Sequence, residues 1–80
     1  MLSIYQAIET KFYGPTNFRG SRLRVKAPVG SIWVDWNYSR NQDANHREAA
    51  IAFAEQYGWN YKAIHTGVTA DGTYVHVLEY

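Results

Sequence analysis

The chain contains no cysteine among its 80 residues, which excludes disulfide bonds and thiolate metal sites. The lack of cysteine is typical of a reducing compartment, so we expect a cytoplasmic protein. No apolar run approaches the roughly 20 residues that a membrane span needs. The first residues also lack the basic and apolar regions of a secretory signal. We therefore expect a soluble protein that stays in the cell that makes it and does not contact a membrane.

Motifs of the common catalytic sites are also missing. None of the four serines follows the Gly-x-Ser-x-Gly pattern of a nucleophile elbow, and no Gly-Lys-Ser/Thr phosphate loop occurs. Glu9, Asp35 and Asp71 belong to different predicted elements, so nothing in the sequence brings two carboxylates together. The sequence therefore predicts a protein without enzymatic activity and without a cofactor.

Three histidines are the remaining candidates for a metal site, because imidazole binds zinc and similar metals. His65 and His76 lie on the two strands of a predicted hairpin, and a four-residue loop would make them cross-strand neighbours. His46 lies at the front of a predicted helix, where with Asn45 it would tie down the preceding loop. Single histidines in amphipathic positions are usually hydrogen-bonded to a neighbour, so we expect no bound metal.

Aromatic residues and an uneven charge distribution stand out instead. Three Trp, seven Tyr and three Phe make up 16% of the chain, and each can bury about 150–250 Å² in a small core. Residues 1–40 carry six cations and two acids, whereas residues 41–80 carry two cations and five acids. This polarity predicts an oriented encounter with a partner. The pI near 8 is low for a dedicated duplex-binding domain, for which values above about 9 are usual.

Hydrophobic periodicity predicts five strands and one helix in the order βββαββ. We expect a single α+β domain over residues 1–80, an antiparallel sheet of about five strands with the helix packed on one face. An Asp-Gly turn at residues 71–72 predicts the last hairpin. The predicted strands cover about residues 6–12, 22–27, 31–37, 60–68 and 73–80, and the helix about 43–57.

Signals at both ends bound the predicted helix. Ser39 with Gln42 three residues later fits a capping box, and Asn41 or Asp43 could cap the helix instead. Gly58 suits the left-handed residue that follows a helix. Residues at helical spacing predict the buried stripe that covers the sheet. The stripe consists of His46, Ala50, Phe53, Ala54 and Tyr57.

The second and third strands predict the main candidate binding surface. Apolar residues of the second strand alternate with three cations, and Trp33 lies on the cation side if the hairpin keeps its apolar faces together. Trp and Arg dominate interface hot spots, although such cations can also serve only to prevent edge-to-edge aggregation. The candidate partner-binding residues are Arg19, Arg22, Arg24, Lys26 and Trp33, with Phe18 of the preceding loop in support.

The last strand is apolar on both of its faces, with Tyr74 and Leu78 on one and Val75 and Val77 on the other. A helix can cover only one of these faces. A second copy of the chain could cover the other, so we expect either a monomer or a weak homodimer.

Several segments of the sequence carry a resemblance to known proteins. Residues 11–22 include a Gly-Pro-Thr-Asn-x-Arg-Gly-Ser-Arg run. After it come Lys26-Ala27, a Trp-bearing strand, Asn45-His46 with an alanine-rich helix, and Gly58-Trp59. Over about residues 9–59 the chain thus resembles short proteins encoded by bacteriophages, prophages and plasmids, mostly of unassigned function. The last hairpin matches only loosely, and no catalytic residues are carried over.

The resemblance implies a setting in which small proteins of mobile elements bind and block a host machine, as anti-CRISPR proteins do. It implies a non-catalytic inhibitor of a host defence (CRISPR effector) complex that acts by steric occlusion in the cytoplasm of the bacterial host. The partner would be a host protein or a ribonucleoprotein complex. The alternative is a small nucleic-acid-binding module, because the same basic and aromatic surface would attract phosphates and stack with bases.

Overall fold

The computed structural model describes residues 7–80, which form five strands and one helix. The predicted α+β fold and the order βββαββ are confirmed. The predicted start of the first strand, at residue 6, lies outside the described residues. The elements are β1 (Ala7–Tyr13), β2 (Arg22–Ala27), β3 (Gly30–Asp35), α1 (Gln42–Gln56), β4 (Ala63–Val68) and β5 (Tyr74–Glu79).

All five strands form one antiparallel sheet in the order β3-β2-β1-β5-β4. The central strand β1 joins the first two hairpin strands to the last hairpin, with Ile8 opposite His76. Helix α1 packs on one face, against β1, β2 and β5. The other face is left uncovered by any element of residues 7–80, and we call it the open face. Over the same residues, no helix is long and apolar enough to cross a membrane.

The core lies between α1 and the three inner strands. Ile8, Leu23 and Val25 point from the sheet and are fully buried, because side chains two residues apart share one face of a strand. Small alanines on α1 let the helix approach the sheet closely, and Phe53 fills the space between them. The buried apolar residues of α1 are Ala49, Ala50, Phe53 and Ala54.

Tyr57 is an exception to the predicted buried stripe, since 40% of its surface is exposed. It follows the last residue of α1 as the C-cap, so it lies at the rim of the helix–sheet interface. Its ring lies 4.8 Å from that of Phe53 and 5.5 Å from that of Trp59, measured between ring centroids. Tyr57 therefore covers the edge of the core and is not part of its interior.

Both ends of α1 are closed by hydrogen bonds. Asn41, one of the alternative caps, is the N-cap, and its Oδ1 accepts the Ala44 N–H at 2.8 Å. Gly58 has the left-handed φ of +67° that the sequence predicts. The N–H of Gly58 donates to the Glu55 carbonyl and that of Trp59 to the Ala54 carbonyl, both at 3.0 Å. This pair of bonds is a Schellman motif.

Asn45 ties the loop before α1 to the helix. It is buried, and its Oδ1 accepts the Asn37 N–H at 2.8 Å. Its Nδ2 donates to the carbonyls of Asn37, Arg40 and Asn41 at 2.9 to 3.2 Å. One side chain therefore bonds to four backbone groups of this loop. The sequence predicts that Asn45 and His46 together hold the loop before the helix. In the structure, Asn45 makes these bonds.

The register of the last hairpin differs from the prediction. Thr66 lies opposite His76, and His65 lies opposite Val77, so the two histidines are not cross-strand neighbours. The reason is the length of the connection, since five residues rather than four separate β4 from β5. A shift of one residue moves a side chain to the other face of a sheet. His65 consequently lies on the open face, where its Nε2 is 2.7 Å from Glu79 Oε1.

The role of Asn45 predicts a large effect on stability. In Asn45→Ala, the Asn37 N–H and the Arg40 carbonyl lose their partner, so we expect the free energy of unfolding to fall by about 2–3 kcal/mol. Urea unfolding followed by tryptophan fluorescence measures this loss. The matched control is Asn60→Ala, because Asn60 is exposed. A loss for Asn45→Ala no larger than that of the control would contradict the assigned role.

Candidate functional site

The β2–β3 ladder gathers cations and an indole on the open face. Arg24 lies opposite Trp33 in the register, and the apolar residues between the cations point to α1. The guanidinium carbon of Arg22 lies 4.3 Å from the centroid of the Trp33 ring, and that of Arg24 lies 5.3 Å from it. Trp33 thus lies on the cation side, as the hairpin pattern predicts. Lys26 is exposed on the same side of β2.

Both arginines are held in place before any partner binds. The Nε of Arg22 is buried and has no hydrogen-bond acceptor in residues 7–80, which fits an N–H group that faces an aromatic ring. Nη2 of Arg24 donates to Ser31 Oγ at 3.2 Å. Because their conformations are already restricted, these guanidinium groups lose less entropy when they bind a partner.

Strand β1 extends this surface by two residues that the sequence did not single out. Tyr13 packs edge-on against Trp33 with 5.2 Å between ring centroids, and Lys11 Nζ lies 5.9 Å from the centroid of the Tyr13 ring. The register places Tyr13 opposite Arg22 and Lys11 opposite Arg24. The alternation in β1 shows which way Lys11 points, but nothing local shows that β1 lies beside β2. We call the whole surface the basic–aromatic face: Lys11, Tyr13, Arg22, Arg24, Lys26 and Trp33.

The cations of the basic–aromatic face are not neutralised by ion pairs. In the described chain, Arg40 pairs with Glu48, and Glu79 pairs with both Lys62 and His65. All three ion pairs lie outside the basic–aromatic face. Two acids share the face, since the register places Asp35 opposite Arg22 and Glu9 opposite Lys26. Neither acid comes within the 4.0 Å of an ion pair. Four cations with two acids leave this face with a net positive charge.

A shallow depression of about 410 Å³ adjoins the basic–aromatic face. Cations of β1 and β2 form one side, and Asp71 and Thr73 of the β4–β5 turn form the other. The Thr69 hydroxyl and the Thr73 N–H both donate to Asp71. These bonds lower the pKa of the Asp71 carboxyl to about 2, so this rim of the depression stays negative at neutral pH.

Phe18 and Arg19 lie apart from the other candidate residues. The Thr16 hydroxyl accepts the N–H groups of Phe18 at 3.2 Å and of Arg19 at 3.1 Å, so the tip of the 14–21 loop is ordered. The Phe18 side chain is 94% exposed. Within residues 7–80, no ring–ring or cation–π contact joins either side chain to Trp33. The structure therefore brings together Arg22, Arg24, Lys26 and Trp33, and leaves these two residues on a separate loop.

A buried polar network on the other side of the sheet was not predicted. Thr10 Oγ1 lies 2.7 Å from His46 Nδ1 and 2.9 Å from His76 Nε2. His76 Nδ1 in turn lies 2.9 Å from Thr66 Oγ1. We call these four residues the histidine–threonine network. No local pattern could reveal it, because its members come from three strands and the helix.

Burial keeps both histidines of the network neutral at pH 7. It lowers the pKa of His46, although a hydrogen bond to the Thr10 backbone and the nearby Asp43 oppose the shift. Burial together with the nearby His46 lowers the pKa of His76 to about 4. The His46 ring stacks on Tyr74 with 3.8 Å between centroids, and the Tyr74 hydroxyl donates to Asp43. In residues 7–80, no three His, Asp or Glu side chains converge to hold a metal ion.

Comparison with protein-family models, with curated proteins and with solved structures gave no match. The resemblance to short phage, prophage and plasmid proteins therefore stays a prediction. The class that the structure defines is a small α+β domain, in which one helix covers one face of a five-stranded antiparallel sheet.

The network predicts a loss of stability at low pH. The pKa of His76 falls from its ordinary 6.5 to about 4 on folding, so the unfolded chain binds more protons between these values. Stability is fully present above pH 6.5 and decreases as the pH falls to about 4, by on the order of 3 kcal/mol. Urea unfolding at a series of pH values measures this decrease.

One variant separates His76 from the carboxylates that also titrate at low pH. His76→Gln should reduce the decrease, because glutamine cannot be protonated. An equal decrease in the parent chain and in His76→Gln would show that His76 does not cause it.

Proposed function

We propose that this chain is a non-catalytic binding protein that holds an acidic surface of a partner protein or ribonucleoprotein against its basic–aromatic face. The observation that carries the proposal is a set of four cations without ion pairs, two of them fixed on Trp33. Arginine binds carboxylates through two parallel hydrogen bonds. Arginine and tryptophan are also the residues that contribute most to interface affinity.

Three features favour an acidic protein surface over a nucleic acid. The arginines already lie over the Trp33 ring, which leaves less of that ring for a base to stack on. Glu9 and Asp35 lie among the cations and would repel phosphates, as would Asp71 at the rim of the depression. A surface with charges of both signs suits a protein partner that carries a complementary pattern.

The resemblance to phage and plasmid proteins supports a more specific form of the proposal. In that setting the partner is a host defence complex, such as a CRISPR effector, and binding inhibits it by steric occlusion. Occlusion needs only affinity and a rigid surface. The ordered arginines on the sheet would supply both without any catalytic group.

Charge reversal on β2 tests the proposed surface. For the double variant Arg22→Glu and Arg24→Glu we expect partner binding to weaken at least a hundredfold, because two anchoring cations become repulsive. The partner is captured from a lysate of the bacterial host and identified by mass spectrometry, and its affinity is then measured with purified components. The same variant should lose inhibition of host defence.

The matched control is Arg40→Glu with Arg47→Glu, which changes the net charge equally on the helix side of the molecule. Unchanged binding in this control with loss in the β2 variant supports the proposal, whereas full inhibition by the β2 variant refutes the choice of surface. A gel shift with DNA or RNA at low salt, weakening steeply as salt rises, would replace the protein partner with a nucleic acid.

A further inference from the structure

A second cavity, independent of the basic–aromatic face, lies on the helix side of the sheet where α1 begins. Its volume is about 260 Å³, which is below the usual range for drug-sized ligands and leaves room for a single small ring. Phe12, Trp36 and Tyr38 contribute aromatic walls. Ser21, Gln42 and His46 contribute polar groups.

The aromatic walls are unusually exposed for a part of the molecule that adjoins the core. Phe12 is 44% exposed and Tyr38 is 76% exposed. Phe12 packs edge-on against Trp36 with 4.8 Å between ring centroids, and Trp36 meets the His46 ring edge-on at 6.1 Å. Phe12, Trp36 and His46 are therefore held by one another, and the aromatic walls present apolar surface to the cavity. A flat aromatic ring is the group that would bury this surface most fully.

His46 provides a buried polar group in the lining. Only 1% of its surface is exposed, and its Nδ1 is bonded to Thr10. Its second ring nitrogen, Nε2, has no hydrogen-bond partner in residues 7–80. Nε2 therefore offers a hydrogen bond to a ligand that enters the cavity.

The histidine–threonine network sets what Nε2 can offer. The Thr10 hydroxyl has one proton, so it donates to one histidine and accepts from the other. If it donates to His76, then His46 carries its proton on Nδ1 and Nε2 is an acceptor. If it donates to His46, then Nε2 carries the proton and is a donor. A hydroxyl on the ligand suits both arrangements, because it can donate or accept.

The charges around the cavity argue against an anionic ligand. None of the side chains named in the walls is a cation, and Asp43 stands in the first turn of α1 beside them. We propose that this cavity binds a neutral phenol-like ring, seated between Phe12 and Tyr38 and hydrogen-bonded through its hydroxyl to His46 Nε2. Such a ring belongs either to a tyrosine of a partner chain or to a small free aromatic molecule.

Titration with p-cresol tests the site, and toluene is the matched probe that lacks the hydroxyl. NMR of the ¹⁵N-labelled chain follows the ring nitrogens of His46 and the indole N–H of Trp36. We expect saturable shifts with p-cresol and about threefold to tenfold weaker binding of toluene, which corresponds to one neutral hydrogen bond. No saturable shift up to the solubility limit of p-cresol, or equal binding of the two probes, would overturn the proposal.

A variant pair locates the probe without disturbing the core. Tyr38→Ala removes an exposed wall of the cavity and should weaken p-cresol binding several-fold. Tyr80→Ala, an equally drastic change at an exposed tyrosine elsewhere, should leave it unchanged. An equal effect of both variants would also count against the site.

A capped Gly-Tyr-Gly peptide then separates the two sources of the ring. If the peptide binds at least as tightly as p-cresol, the site accepts a tyrosine of a partner chain. If p-cresol binds and the peptide does not, the site takes a free aromatic molecule. Both results keep the cavity as a phenol-binding site.

Discussion

One helix of 15 residues must cover a sheet of five strands, and most of the molecule follows from this constraint. The helix buries a single face, so alternate side chains of every strand end on the open face, in contact with water. On β2 those alternate positions carry cations, and on β1 and β3 they include Tyr13 and Trp33. The same alternation that builds the core therefore places the candidate binding residues side by side.

The face of the sheet that α1 covers buries polar side chains as well as apolar ones. Thr10, His46 and His76 are buried almost completely, and buried polar groups destabilise a fold unless they are hydrogen-bonded. Here they bond to one another across β1, β5 and α1. A slip of one residue in the β1–β5 register would turn Thr10 to the open face and remove its bonds to both histidines. The histidine–threonine network therefore favours a single register between β1 and β5, and it also stabilises the fold.

Local patterns predicted much of this fold. The period of two in β2 and β3, the Asp-Gly turn and the glycine after the helix correspond to observed elements. They depend on residues that are close in sequence, for which alternation and turn chemistry are reliable guides. The pairing of Arg22 and Arg24 with Trp33 was predictable for the same reason, since one short turn fixes the register of that hairpin.

What the sequence did not reveal depends on contacts between distant segments. The long 14–21 loop conceals that β1 lies beside β2, so Lys11 and Tyr13 were not recognised as part of the face. One additional residue in the last turn shifted the register, so His65 lies opposite Val77 and not opposite His76. Nothing in the local pattern marks Thr10, because its two histidine partners are 36 and 66 residues away.

The account depends most on the contact between the guanidinium groups and the indole on the open face. Nuclear Overhauser effects between the Arg22 side chain and the Trp33 ring measure it directly in solution. We expect strong cross-peaks together with upfield shifts of the Arg22 methylene protons, which the ring current of an adjacent indole produces. Cross-peaks from Trp33 to residues of α1, with none to Arg22, would contradict the account.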